Sequence, residues 1–233
     1  MNPNEITIQP DQLMAGDVII FVLNGEDRLA NAIRRVTRSK YTHAAICIGS
    51  NEVVDVTDVG IRKTTIQNLI SQSAYGAVFR NKLVWSEVRI KALKRFLDQA
   101  IQSGSGYDFN GFRTFLSRNR DHQFALMAKI RAFFNGELQP QSHRKPNYTC
   151  SELIAACFIE VGFISPDTSI AFQSDTYSPG SLGKESNFGF LLGYLKPNTS
   201  VTIPLDDEFA NNLTVKELEQ AEQELLTGKT RLI

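Results

Sequence analysis

Apolar and polar positions along the chain alternate between two periods, and each change of period marks an element. Asp17-Val18-Ile19-Ile20-Phe21-Val22 is a nearly continuous apolar run rich in β-branched residues and bounded by Asn24-Gly25, which predicts a buried strand. Over residues 27–38 the spacing lengthens. Leu29, Ile33 and Val36 fall on one side of a short amphipathic helix, with Arg28, Arg34, Arg35 and Arg38 elsewhere on it. Residues 41–48 and 53–57, separated by Gly49-Ser50-Asn51-Glu52, predict a β-hairpin. Alternation in its first strand puts His43, Ala45 and Cys47 on one face and Ala44, Ile46 and Ile48 on the other. Residues 60–65 and 77–80 continue the strand-rich region, with Leu83-Val84 close behind. Residues 87–102 read as a helix with the stripe Ile90, Leu93, Leu97 and Ile101, stopped by Ser103-Gly104-Ser105-Gly106.

The second half is less regular. Residues 113–147 form a helical insertion rich in arginine, with the bulky segment 124–134. It reads either as a lid or wall for an apolar substrate or as an ordinary helix covering the core. His122 and His143 lie here and are expected on the surface. A helix then begins at Cys150, where Leu153, Ile154, Cys157 and Val161 recur on one stripe and Gly162 offers a stop. Residues 165–184 predict a long loop, and residues 189–195 a final strand. In the tail, Thr214 and Glu217 make a capping box, Leu218, Ala221, Leu225 and Leu226 a narrow stripe, and Gly228 a stop. That helix either packs on the domain or engages a protein partner. The organisation expected is one domain over residues 1–204 and a helical tail over residues 205–233.

Composition narrows the function classes. The 233 residues carry 25 basic and 25 acidic side chains, which argues against a nucleic-acid partner held by bulk electrostatics. No basic segment followed by an apolar run opens the chain, and nowhere do about 18 apolar residues run together. A cytoplasmic protein is expected, with export that needs no cleaved signal left open. Cys47, Cys150 and Cys157 are too few for a disulfide framework. With no paired CxxC or HxxxH spacing and no phosphate-cradling glycine loop, neither a metal nor a cofactor is expected.

Candidate chemistry centres on Cys150, placed where an extended, Pro-led segment turns into a helix. A helix N-terminus carries partial positive charge and favours thiolate over thiol. The residue reads either as a nucleophile or as one more buried cysteine. His43 reads as its base or as a structural histidine. Asp55 stands diagonally across the hairpin ladder from His43 and would orient the imidazole. The small Ala45, on the face of His43, would let a helix end approach closely. The Cys150 backbone N–H is the first expected oxyanion donor and the Tyr148 hydroxyl the second.

These residues also carry a resemblance. His43-Ala44-Ala45-Ile46-Cys47-Ile48-Gly49, with Asp55 twelve positions beyond the histidine, resembles the H-x-G-I-x-x-G hairpin of the NlpC-type papain-like superfamily. Histidine before cysteine is the order of its circularly permuted branch, the YaeF/YiiX-type amidases and the lecithin:retinol acyltransferase-like proteins. Gly16-Asp17-Val18-Ile19, Gly106-Tyr107-Asp108-Phe109 and Tyr148-Thr149-Cys150-Ser151-Glu152-Leu153 are similar to the YaeF/YiiX group in particular. Ala45 replaces the usual glycine. Asp55 stands where many relatives have His, Asn, Gln or Glu, with Glu52 and Asp58 as fallback candidates.

The resemblance implies an α+β, permuted papain-like fold, with a small antiparallel sheet packed against the helix bearing Cys150. It implies a cysteine hydrolase with Cys150 as nucleophile, His43 as base and Asp55 as orienting group, acting on a peptide, amide or lipid-acyl substrate. Lipid acyl transfer or thioester hydrolysis is the alternative reaction. Arg28, Arg34 and Arg35 with residues 124–134 would serve it through peripheral membrane contact. A non-catalytic binding protein on the same scaffold is the third reading.

Overall fold

A computed structural model of the protein describes residues 2–25, 28–139, 142–165 and 174–226. In chain order the strands are β1 (Val18–Leu23), β2 (His43–Gly49), β3 (Glu52–Thr57), β4 (Gly60–Thr65), β5 (Ser73–Arg80), β6 (Gly106–Tyr107), β7 (Asn147–Tyr148) and β8 (Phe190–Leu195). The α-helices are α1 (Arg28–Thr37), α2 (Ile66–Ser71), α3 (Glu87–Gln102), α4 (Phe109–Phe134), α5 (Cys150–Glu160), α6 (Pro179–Leu182) and α7 (Val215–Leu226). The fold is α+β. Six strands form one antiparallel sheet in the order β4-β3-β2-β1-β5-β8.

Both faces of this sheet are covered, so its strands read as apolar runs. Ala44, Ile46, Ile48, Val54 and Val56 pack with Leu93 and Leu97 of α3 and with the α5 residues Leu153, Ile154 and Cys157. On the other face Ile19, Phe21, Ala45, Cys47 and Val53 pack with Ile66, Leu69 and Ile70 of α2. The β2–β3 hairpin closes through Ser50 and Asn51, both left-handed with φ of 54° and 61°. Two successive left-handed residues match the twist of paired strands.

Gly16 and Asp17 secure the start of β1. At φ 97° the Gly16 backbone is left-handed, and a Cβ there would fall 2.0 Å from the Trp85 ring. Asp17 accepts from Arg80 at 2.8 and 2.7 Å and from the Met14 N–H at 2.8 Å. The segment after residue 204 reaches into the molecule. Asp207 accepts hydrogen bonds from the hydroxyls of Tyr41, Tyr75 and Tyr194 at 2.8–3.1 Å, and Phe209 is fully buried beside Tyr41.

Several elements differ from expectation. Helix α2 follows β4 with Thr65 as its cap, and six residues are too few for helical periodicity to register. Leu83 and Val84 are exposed and outside any strand. Helix α4 runs unbroken for 26 residues and starts at Phe109, ahead of the expected insertion. Met127 and Phe134 are exposed on it, so its second half does not simply cover the core. In the expected long loop, a 3-10 turn at Ser174–Thr176 and helix α6 are formed, and residues 166–173 lie outside the described residues. The Thr214–Glu217 capping box forms at the start of α7, where Leu218 is half-buried and Ala221 exposed. Gly228, Asp27 and the His122 side chain lie outside the described residues. No helix among the described residues is long and apolar enough to cross a membrane.

Candidate active site

Two residues that each open an element meet at one end of the sheet: His43 begins β2 and Cys150 begins α5. The helix start is built locally. Thr149 is the N-cap and Glu152 completes a reciprocal capping box: the Glu152 N–H donates to Thr149 Oγ1 at 3.3 Å, and the Thr149 N–H to Glu152 Oε2 at 2.7 Å. Every residue from Cys150 to Ile159 is buried, which seats the helix against β2 and β3. The parallel pairing of β6 with β7 sets Tyr107 against Tyr148, and the Asp108 N–H donates to the Tyr148 carbonyl at 3.1 Å. The motif around Tyr107 is thereby held beside the motif around Cys150.

The hairpin register pairs Ala45 with Asp55, so Asp55 stands diagonal to His43. His43 Nε2–H donates to Asp55 Oδ2 at 2.8 Å. That leaves Nδ1 as the ring nitrogen available to Cys150, whose sulfur lies close enough to act on the imidazole. Burial by itself would lower the His43 pKa. The hydrogen bonds to Asp55 and Cys150, with their charges, outweigh it and raise the imidazole from its ordinary 6.5 to about 9. Burial likewise works against the Asp55 carboxylate, but the bonds from His43 and Arg62 hold its pKa below the ordinary 3.8. The result is an imidazolium beside a cysteine sulfur.

Arg62 is the residue that sequence reasoning missed. Its Nε donates to Asp55 Oδ1 at 2.9 Å and a terminal nitrogen to Oδ2 at 3.2 Å, so the fully buried carboxylate is gripped on both oxygens. The signal was present in the β3–β4 hairpin, whose pairing of Thr57 with Gly60 places Arg62 opposite Asp55. Replacing Arg62 by glutamine should keep the fold and leave Asp55 held by His43 alone. With the Arg62 side chain 38% exposed, water replaces part of the contact. The expected loss, read from urea unfolding, is about 1–2 kcal/mol, below the figure for a wholly buried pair.

The other sequence candidates separate clearly. Asp58 lines the cleft onto which Cys150 and His43 open, whereas Glu52 is exposed at the opposite end of β3. The Tyr148 hydroxyl is taken by the Lys145 N–H at 2.8 Å and donates to the His143 carbonyl at 3.2 Å, so the expected second oxyanion donor is engaged elsewhere. The Cys150 N–H, in the first turn of α5, has no acceptor within the helix. Ala45 belongs to the α2 face of the sheet, and the small residue on the α5 face is Ala44. The strand alternation was read correctly. The helix packs on the face opposite His43, and the two side chains meet because both stand at the sheet end. His143, expected on the surface, is half-buried and pairs through Nε2 with Glu160 at 2.8 Å. Burial raises the Cys47 thiol to about 11 and the Cys157 thiol well above its ordinary range, as befits inert core cysteines.

Cys150 and His43 open onto a cleft of about 390 Å³. Leu23, Leu29, Ile33, Val56 and Leu69 give it an apolar wall, and Thr57, Asp58, Arg62 and Gln72 a polar one. Among the described residues no group of three or more His, Cys, Asp or Glu side chains could hold a metal ion. Chemically, the arrangement offers a buried sulfur, a proton carrier fixed by a carboxylate, and a helix-start N–H.

No protein-family model matches the chain, and no curated protein matches it. Among solved structures, it is similar to the crystal structure of metalloprotein yiiX from Escherichia coli O157:H7, labelled DUF1105, at 13% identity with a TM-score of 0.43. The match covers 85% of this chain and 94% of that one. A likeness of this size determines neither superfamily nor activity.

Proposed function

We propose that the protein is a cysteine hydrolase of permuted papain-like architecture that cleaves an amide or related acyl bond through a thioester acyl-enzyme. The observation that carries this reading is the meeting of Cys150, at a helix start, with an imidazole held by Asp55 in one cleft. The Cys150 thiolate attacks the carbonyl carbon, and the electron pair of the C=O bond moves onto oxygen beside the Cys150 N–H. Collapse of that intermediate breaks the carbon–nitrogen bond as the His43 imidazolium gives its proton to the departing amine. Water then adds to the thioester while the now neutral imidazole takes its proton. Sulfur leaves as thiolate and the product is a carboxylic acid. Asp55 does not change protonation: it orients the ring and stabilises its cation.

A second reading, hydrolysis or transfer of a lipid acyl group, is favoured by the apolar wall of Leu23, Leu29, Ile33, Val56 and Leu69. Arg34, one of the arginines expected to meet a headgroup, instead donates to the Leu23 carbonyl at 2.7 Å.

The test is incubation with activated acyl amides, esters and thioesters of short and long chain, followed by intact-mass measurement after acid quench. An adduct of acyl mass on Cys150, absent in Cys150→Ala and accumulating in the presence of long rather than short chains, would select the lipid version. An adduct with short amides supports the amidase. No adduct from any member of the panel, with the thiol intact, would leave the scaffold as a binding protein.

A further inference from the structure

We infer that the outward face of α4 is a docking surface for an anionic lipid bilayer. Phe109, Met127 and Phe134 on this helix are 51%, 71% and 81% exposed. Met127 follows Phe109 by 18 residues and Phe134 follows it by 25. At about 3.6 residues per turn these separations are about five and seven turns, so the three side chains share one line along the helix. That line is roughly 37 Å long at about 1.5 Å per residue. Arg113 and Arg131, both exposed, follow Phe109 and Met127 by four residues each and stand on the same flank one turn on.

Charge selects the occupant. The helix holds five basic residues, Arg113, Arg118, Arg120, Lys129 and Arg131, against the single acidic Asp121. The whole chain is balanced at 25 and 25, so outside the helix acidic residues exceed basic ones by four. The element that exposes the apolar row is thus basic in a chain that is acidic elsewhere. Large apolar side chains in a straight row, flanked by guanidinium groups, fit a helix lying in the membrane interface. The rings and thioether reach the acyl boundary while the arginines meet phosphate. No described helix could span the bilayer, so the contact is peripheral.

The row begins beside a residue that lines the cleft. Phe109 lies against Tyr107 with ring centroids 4.7 Å apart, and Tyr107 lines the cleft that holds Cys150. A bilayer under α4 would therefore lie next to the site. The inference does not depend on the proposed chemistry, because binding is read without turnover.

The experiment is co-sedimentation of the full chain with vesicles of phosphatidylcholine alone and of phosphatidylcholine with about 30% phosphatidylserine. Wild type should sediment with the anionic vesicles only, and about 0.5 M NaCl should release most of it. Met127→Glu with Phe134→Glu should weaken binding more than tenfold, and Arg113→Glu with Arg131→Glu by at least as much, since each basic residue contributes about fivefold. All substituted side chains are exposed, so melting temperatures should match wild type. Cys150→Ala should bind like wild type, which separates this result from the fate of the hydrolase reading. Failure to bind either vesicle, or unchanged binding by the Met127/Phe134 variant, would overturn the inference. So would a concentration-dependent dimer abolished by that variant, since the face would then seat a second copy of the chain.

Discussion

At pH 6.5, Cys150 of the His43→Ala variant should be alkylated by iodoacetamide on the order of 10–100-fold more slowly than Cys150 of the native protein. The expectation follows from the imidazole, which Asp55 and the cysteine sulfur keep protonated up to about 9. A cation beside the sulfur stabilises negative charge there, and removing it takes that stabilisation away. Asp55→Asn should fall between the two, because the ring keeps a hydrogen-bond partner but loses its counter-charge. Peptide mass mapping of the alkylated protein makes the measurement site-specific. Cys47 and Cys157, both buried and with raised pKa values, should stay unmodified in the folded protein and serve as internal references. Equal rates in native protein and His43→Ala would remove the basis of the hydrolase proposal.

Asp207→Ala should be the most destabilising single substitution outside the apolar core, by about 3–5 kcal/mol. One carboxylate accepts from the Tyr41 hydroxyl at 3.0 and 3.1 Å, from Tyr75 and Tyr194 at 2.8 Å each, and from the Phe209 N–H at 3.1 Å. Alanine leaves three buried hydroxyls and an amide without their acceptor. For a chain of this length the loss corresponds to a fall of roughly 10 °C in melting temperature. Asp207→Asn should lie between, since one amide oxygen cannot serve four donors.

The same cluster sets an alkaline limit. Burial first, and then the Asp207 charge, raise the pKa of Tyr41 and Tyr194, while for Tyr75 burial is followed by the hydrogen bond to Asp207. A folded value above the unfolded one means that stability is fully present below pH ~10 and is lost as pH rises beyond it. Denaturant midpoints measured from pH 8 to above 10 should show that decline. Tyr41 is two residues before His43, and Glu208 accepts from the Lys40 N–H at 2.8 Å. Loosening this anchor should therefore also lower Cys150 reactivity, which would link the segment after residue 204 to the site.

Local pattern determined a good deal about this protein. Period two over residues 41–57, with a turn able to hold two left-handed residues, led to the β2–β3 hairpin, and strand alternation then placed Asp55 diagonal to His43. The run after Tyr148 led to a helix starting at Cys150, and the structure adds the Thr149–Glu152 capping box that begins it. These are interactions between residues a few positions apart, where sequence spacing and spatial distance are nearly the same thing.

What tertiary structure alone decided lies in contacts between distant segments. Cys150 and His43, far apart in sequence, came to line one cleft. Helix α5 took the sheet face of Ala44 rather than that of Ala45, and Asp207 drew Tyr75 of β5, Tyr194 of β8 and Tyr41, just ahead of β2, onto one carboxylate. Periodicity states which side of an element is apolar, but a sheet apolar on both faces gives no preference for which helix covers which. That choice belongs to the packing of the whole chain, where burial and the demand that every buried polar group find a partner are satisfied together.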